Sequence, residues 1–176
     1  MSRRARTRNA HPRRCALNSI EIAINGARRL SDADVAGHYA LIVRAKDEFA
    51  RGVDCQRHWL SLADTANVAE TFASMGLGRG EDADTVIQRA QQALHDVHQR
   101  HATRNTWTLY ADEIDALHWL VQLHHVQLGA CSYSEFARAF DLTEQRMAQA
   151  LAGNAPAGAI VCIGQIAQQP SATGAL

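Results

Sequence analysis

Residues 110–128, Y-A-D-E-I-D-A-L-H-W-L-V-Q-L-H-H-V-Q-L, form the stretch that decides the fold class of this chain. Large apolar side chains recur there at steps of three and four residues, the period of an amphipathic α-helix. Asp112 and Glu113 stand near its start, where negative charge complements the helix dipole. Because this apolar face is the widest in the chain, we expect the helix to be central in an all-α fold. Its apolar positions are Ile114, Leu117, Leu120, Val121, Leu123, Val126 and Leu128.

Three further helices are predicted upstream. Ser31 precedes two acidic residues and a helical apolar period, as an N-cap does, and Gly52 follows the last apolar position. Asp54 can cap the next helix, and a glycine run ends it. Together with the stretch at 110–128, these segments predict a bundle of four main helices. The three predicted ranges are 31–51, 54–75 and 82–103.

The sequence at 133–151, Y-S-E-F-A-R-A-F-D-L-T-E-Q-R-M-A-Q-A-L, is similar to a helix-turn-helix. In that interpretation Ser132 caps the first short helix, Asp141 occupies the turn and Thr143 caps the second. The pattern predicts a short C-terminal hairpin added to the bundle. Any helical hairpin produces a similar pattern, so DNA reading remains one of two interpretations. The residues that would face a DNA groove are Gln145, Arg146 and Gln149.

Two isoleucine-rich segments lie near the ends of the chain. Residues 20–24 alternate at the strand period before an Asn-Gly pair, although a helical turn competes with a strand there. Residues 158–167 are too apolar for a solvated tail. The two segments could form a minor β pairing, or the second could cover a helix face. We predict a flexible arm at 1–18, one helical domain at 19–168 and a frayed tail at 169–176.

The N-terminal arm carries the strongest functional signal. Up to residue 29 the chain has eight Arg and one Glu, a net charge of +7, while the remainder has ten Lys or Arg against seventeen Asp or Glu, a net charge of −7. Such an arm either attracts a polyanion, with nucleic acid the first candidate, or folds back on the acidic body. The arm residues predicted to contact nucleic acid are Arg3, Arg4, Arg6, Arg8, Arg13 and Arg14.

Composition and motifs narrow the function classes. No apolar run is long enough to cross a bilayer or to form a secretory signal, so we expect a cytoplasmic protein with no membrane partner. The four cysteines have no zinc-site spacing and are expected to be reduced thiols. Six histidines cluster on the third and fourth helices, but without the spacing of a di-metal site. With no catalytic motif present, we predict a non-enzyme that needs no cofactor and no metal.

Three stretches carry a resemblance to a known group. They are R-R-A-R-T-R at 3–8, D-T-A-N-V-A-E-T-F-A-S-M-G-L-G at 64–78 and the segment T-L-Y-A-D-E-I-D-A-L-H-W-L-V-Q-L-H-H-V-Q-L at 108–128. The chain resembles, over residues 1–135, small helical proteins encoded by proteobacterial phages, prophages and plasmids. That resemblance implies either regulation of transcription or replication, or obstruction of a host protein. It assigns no role to any single residue.

These observations predict a non-enzymatic, nucleic-acid-binding regulator of a mobile genetic element. The arm would attract phosphates, and the second helix of the hairpin would read sequence weakly. Because a single such module binds DNA weakly, we expect a homodimer on paired half-sites. The alternative is a protein-binding inhibitor or adaptor, for example against a host or defence protein, that acts through its acidic helical surface.

Overall fold

The computed structural model describes residues 24–78, 80 and 82–153. Every long element in that part of the chain is an α-helix, and none of its residues forms a strand, so the prediction of an all-α fold is confirmed. The five long helices are α1 (Asp32–Ala50), α2 (Cys55–Ser74), α3 (Ala83–Arg104), α4 (Ala111–Ala130) and α5 (Tyr133–Leu151).

Local signals explain where several of these helices begin and end. The Ser31 side chain accepts a hydrogen bond from the Asp34 backbone N–H at 3.2 Å and caps α1. A reciprocal capping box begins α5, where the Ser132 N–H donates to the Glu135 carboxylate at 2.8 Å. Asn105 adopts a left-handed conformation, with φ of 52°, just after α3. The predicted helices upstream of α5 therefore lie close to where capping chemistry placed them.

The most central helix is α2, not α4 as the width of its apolar face suggested. It packs against each of the other four long helices, while α1 and α3 also contact α4. Trp59 is fully buried on α2, and its indole N–H donates to the Leu94 carbonyl of α3 at 2.8 Å. Small residues on α2, such as Ala63 and Ala66, let its neighbours approach closely. The prediction that α4 is the central helix is wrong, because its main contacts are with only three of the other long helices and Val126 of its wide apolar face remains exposed.

The predicted helix-turn-helix is wrong. Residues 133–151 form one uninterrupted helix that passes through Asp141 without a turn. The segment contains no Gly or Pro, so nothing local forces a break. Thr143, expected to cap a second helix, is instead buried inside α5 and donates to the Ala139 carbonyl one turn earlier at 2.8 Å. The helix lies across α2, its main contact among the described elements.

The remaining predictions concern the two ends of the chain, which lie mostly outside the described residues. Residues 24–26 are helical, so a strand does not extend to Ile24. Most of the first isoleucine-rich segment, all of the second, the arm at 1–18 and the tail at 169–176 lie outside the described residues. Near the start of the described residues, the Leu30 N–H donates to the Cys131 carbonyl at 3.2 Å. The backbones of Arg29 and Ser132 form an isolated antiparallel β-bridge. These bonds hold the entry to α1 against the beginning of α5.

Candidate functional site

An open groove lies where α1, α2 and α5 meet, above a side chain of α4. We call it the α1/α2/α5 groove; its volume is about 220 Å³. It forms because α5 packs on α2 and leaves part of α1 uncovered. The side chains that line it are His38, Leu41, Ile42, Ala45, Ser61, Asp64, Thr65, Val68, His124, Phe136 and Phe140.

Two large apolar side chains flank the groove and face water. Leu41 of α1 is 66% exposed, and Phe140 of α5 is 41% exposed. Complete burial of a large apolar side chain from full exposure is worth roughly 1.5–3 kcal/mol, so covering the exposed parts of Leu41 and Phe140 would gain a fraction of that for each. Exposed apolar residues grouped at a concave site indicate a binding surface more strongly than the same residues scattered singly. The groove is therefore a candidate site for a ligand or partner.

Aromatic rings build the α5 side of the groove. The rings of Phe136 and Phe140 lie 4.8 Å apart, and the His38 ring packs 5.1 Å from Phe136. Behind them, the fully buried Phe72 contacts Phe136 at 6.4 Å between ring centroids. Side chains supported by such packing keep fixed rotamers. The α5 wall is consequently preformed, which lowers the entropic cost of binding.

Asp64 places a carboxylate at the mouth of the groove. It is solvent-accessible, and no cation pairs with it among the described residues. Desolvation by the surrounding protein nonetheless raises the pKa of this carboxyl above its ordinary value. An unpaired acid beside apolar walls can accept a hydrogen bond from a polar or basic group on a ligand.

His124 forms the floor of the groove. Only 5% of it is exposed, its ring packs 5.7 Å from Phe72, and burial lowers its pKa to about 4. Nδ1 of His124 has no hydrogen-bond partner in the described part of the chain. At neutral pH the floor is therefore uncharged, in keeping with the apolar walls.

Apolar positions continue from the groove along one edge of α5. Phe140, Met147 and Leu151 are separated by seven and four residues, which places them on one side of a helix. Met147 is half-buried and Leu151 is 44% exposed. This α5 edge connects the groove with the C-terminal end of the helix.

The residues predicted to read DNA are arranged differently. Gln145 and Gln149 are exposed on the outer side of α5, one turn apart. Arg146 turns towards α2, where its guanidinium lies 3.4 Å from the Glu70 carboxylate and donates to Thr71 Oγ1 at 3.3 Å. Its side chain is 31% exposed and already engaged. The three residues do not form one exposed reading surface, and the six predicted arm arginines lie outside the described residues.

The histidines do not converge on a metal site. His98 stacks on Trp59 with 4.9 Å between centroids, and His101 stacks on Trp107 at 4.1 Å. Within residues 24–78, 80 and 82–153, no group of three or more His, Cys, Asp or Glu side chains is arranged to hold an ion. Desolvation lowers the pKa of His98, which favours its uncharged form. These imidazoles serve mainly as aromatic packing.

Two cysteines can be placed, and both are free thiols. Cys131 is fully buried, and burial raises its pKa to about 11. Desolvation also raises the pKa of Cys55. A raised pKa leaves little of the reactive thiolate at neutral pH, so both behave as small apolar residues. Among the described helices, none has the length and apolar character needed to cross a membrane.

One feature of the sequence, the isolated charge of Asp64, could have indicated the position of the groove. Asp64 is the single charged residue between Arg57 and Glu70, in a helix otherwise filled with small and apolar residues. A lone acid in such a helix marks a place where the packing stops. Leu41 and Phe140 gave no comparable signal, because their exposure depends on where α5 lies.

Comparison with known proteins does not add a function to this geometry. No protein family, curated protein or solved structure matches the chain.

Proposed function

We propose that this chain is a non-enzymatic regulatory protein that binds another protein by accepting an apolar segment in the α1/α2/α5 groove. The observation that carries the proposal is the exposure of Leu41 and Phe140 on either side of a preformed concave site. Helical proteins commonly bind a partner by laying an apolar segment into a hydrophobic groove. Asp64 would receive a polar or basic group at the edge of that segment.

The same groove offers little for catalysis. Asp64 stands at the mouth and His124 in the floor, and Nδ1 of His124 has no hydrogen-bond partner among the described residues, so the two do not form an acid–base pair through it. An uncharged imidazole at the floor of an apolar groove is suited to packing, whereas a general base needs a pKa near the working pH. These features support a binding role.

The partner that we propose is a host or defence protein, acted on by a protein of a mobile genetic element. The net charge of −7 after residue 29 supports this direction, because it favours a partner with a basic surface. In this proposal α1–α4 act as a four-helix bundle that presents the groove, and α5 acts as the wall that shapes it. A cytoplasmic location is part of the same proposal.

A matched pair of variants tests the groove. Leu41→Asp places a charge in it, while Val126→Asp places a charge on a similarly exposed apolar position of α4, outside the groove. Tagged wild type and both variants are used to retain partners from host lysate, followed by quantitative mass spectrometry. We expect at least one protein to be lost with Leu41→Asp and retained with Val126→Asp. If no retained protein discriminates between the variants, the groove is not the binding site.

Nucleic-acid binding by the arm is a second candidate, supported by six arginines without an acidic residue among residues 1–14. With α5 continuous and Arg146 engaged by α2, we restrict this proposal to phosphate attraction, with Gln145 and Gln149 as marginal contributors. Binding of random and genomic DNA is measured at two salt concentrations, with and without residues 1–14. Six phosphate contacts would give a log–log salt slope of about −5.

The outcomes separate the two candidates. Loss of a steep salt-dependent component on deleting the arm would support phosphate attraction. No binding by the intact protein at low salt would exclude it and leave the groove proposal unaffected. The predicted homodimer belongs with the DNA candidate and is tested by analytical ultracentrifugation with and without DNA.

A further inference from the structure

We infer that residues 158–167, G-A-I-V-C-I-G-Q-I-A, dock in the α1/α2/α5 groove of their own chain and compete with the partner. This inference rests on the proposed function, because it assigns regulation to the same groove. The segment carries no charge and contains four large β-branched apolar residues, Ile160, Val161, Ile163 and Ile166. Its chemistry matches apolar walls and an uncharged floor.

The α5 edge gives the segment a route to the groove. Phe140 lines the groove, and Met147 and Leu151 continue the same apolar edge to the end of the helix. Phe140 and Leu151 are 41% and 44% exposed, so apolar surface remains open at both ends of the route. A segment that follows this edge back from Leu151 would cover apolar surface throughout.

The chain is long enough to make this return. From Phe140 to Gly153 the helix advances about 20 Å, at ~1.5 Å per residue. Ile160 is seven positions after Gly153, and in extended form this stretch of chain spans about 24 Å. Ile160 can therefore come level with Phe140, and Ile163 and Ile166 can enter the groove beyond it.

The described end of the chain already turns out of the helix. Gly153 has φ of 78°, in the left-handed region, and its N–H donates to the Ala150 carbonyl at 3.1 Å. A left-handed residue after the last turn redirects the backbone away from the helix axis. Such a redirection is what a returning segment requires.

Tethering makes even weak docking effective. A short linker presents its segment at an effective concentration on the order of millimolar, so a partner must bind correspondingly more tightly to displace it. Asp64 lies at the mouth and finds no basic group in residues 158–167. A partner segment with a basic residue beside its apolar ones would gain a contact with Asp64. It could therefore bind the groove more tightly than residues 158–167.

The test uses the native thiol at Cys162 in the full-length chain. Cys15 and Cys55 are changed to Ser, and the buried Cys131 is kept. Ala137→Cys adds a thiol one turn before Phe140, level with the place that Cys162 reaches when Ile160 lies beside Phe140, and Arg138→Cys adds one on the outer side of the helix; both positions are exposed. The two new positions differ by one residue in loop length, so an undocked segment would meet both equally often.

We expect the intramolecular disulfide to Cys162 to form about tenfold or more faster from Ala137→Cys than from Arg138→Cys under mild oxidation. Adding Ile160→Asp and Ile163→Asp should abolish that preference. Equal rates in proteins with unchanged circular dichroism would overturn the inference. Disulfide-linked dimers in place of the internal link would instead assign the groove to a second copy. No partner takes part in this experiment, so its result is independent of the lysate comparison.

Discussion

The hydroxyl oxygens of Thr71 and Thr143 lie 2.8 Å apart, where α5 crosses α2. Both side chains are buried, and each also has a contact with the backbone carbonyl one turn earlier, Thr71 with Asn67 and Thr143 with Ala139. Arg146 adds a charged donor to the Thr71 hydroxyl at 3.3 Å. This polar contact joins α5 to α2, two of the helices that line the α1/α2/α5 groove.

Thr143→Val should therefore weaken the crossing while keeping the shape of the side chain. Loss of a buried hydrogen bond costs about 1 kcal/mol in the free energy of unfolding, measured by urea denaturation at constant m-value. Thr103→Val is the matched control: its hydroxyl also donates to the carbonyl one turn earlier, at 2.8 Å, but it is exposed. Equal losses in both variants would show that the interhelical contact contributes nothing.

The ion pair between Arg100 and Glu113 joins α3 to the start of α4. Glu113 is buried, binds both terminal nitrogens of the guanidinium and accepts the Tyr110 N–H at 2.7 Å. The hydrogen bonds that Arg100 donates to the Glu113 carboxylate raise the pKa of Arg100. Glu113→Gln leaves a largely buried guanidinium without its counter-charge and should cost about 3 kcal/mol in thermal or urea unfolding.

Asp112→Asn is the control for that change. Asp112 is its exposed neighbour in the first turn of α4, where removing a charge alters only the interaction with the helix dipole. We expect a cost below about 1 kcal/mol. A Glu113→Gln variant as stable as Asp112→Asn would contradict a structural role for the pair.

The long helices upstream of α5 were predictable because their signals are local. Ser31 and Gly52 flank α1 with a cap and a stop, and the apolar period between them needs no information from elsewhere in the chain. The continuity of α5 could not be predicted, because Asp141 is compatible with both a turn and a helix. What holds that region against α2 is the burial of Thr143 on Thr71, a residue 72 positions away. A contact between residues so far apart in the chain cannot be predicted from the local sequence.

The groove was hidden for a related reason. Phe140 has the sequence environment of a core residue and is 41% exposed, because α5 lies over α2 and leaves α1 uncovered. The central role of α2 was also missed, since its buried positions include Ala63, Ala66 and Ala69 beside the large Trp59 and Phe72, and alanine contributes little hydrophobicity to a periodic pattern. Their small size matters only once neighbouring helices approach.

Two glycines should respond to alanine in opposite directions. Gly78 has φ of 65°, and a Cβ there would lie 2.5 Å from Cγ of Gln127. Gln127 is itself fixed, because its amide donates to the Ala69 carbonyl at 3.0 Å. Gly78→Ala combines backbone strain with a clash and should lower the free energy of unfolding by more than about 1 kcal/mol.

Gly37 lies inside α1 with open space where its Cβ would be. Gly37→Ala should raise the free energy of unfolding by about 0.5–1 kcal/mol, since it reduces the entropy of the unfolded chain. Urea denaturation of both variants checks the pair. A stabilising Gly78→Ala would mean that the loop after α2 can relax away from Gln127.

The buried imidazole of His124 should make stability depend on pH. Its pKa is lowered by burial to about 4, against about 6.5 in the unfolded chain, so between these values the unfolded state binds more protons. Its contribution is fully present above pH 6.5 and is lost as the pH falls towards 4, by about 3 kcal/mol in total. His98 has a lowered pKa as well and acts in the same direction.

His124→Gln should flatten the slope of unfolding free energy between pH 6.5 and 4, while His118→Gln, an exposed position on the same helix, should leave it unchanged. NMR titration of the imidazoles identifies the group directly. The positive charge that His124 gains on acidification would lie in the floor of the α1/α2/α5 groove, near the imidazoles of His38 and His125. A protonated floor disfavours an apolar occupant, so the preference of Cys162 for the Ala137→Cys thiol over the Arg138→Cys thiol should decline over the same pH range. A slope unaffected by His124→Gln would show that water reaches this imidazole in the folded state.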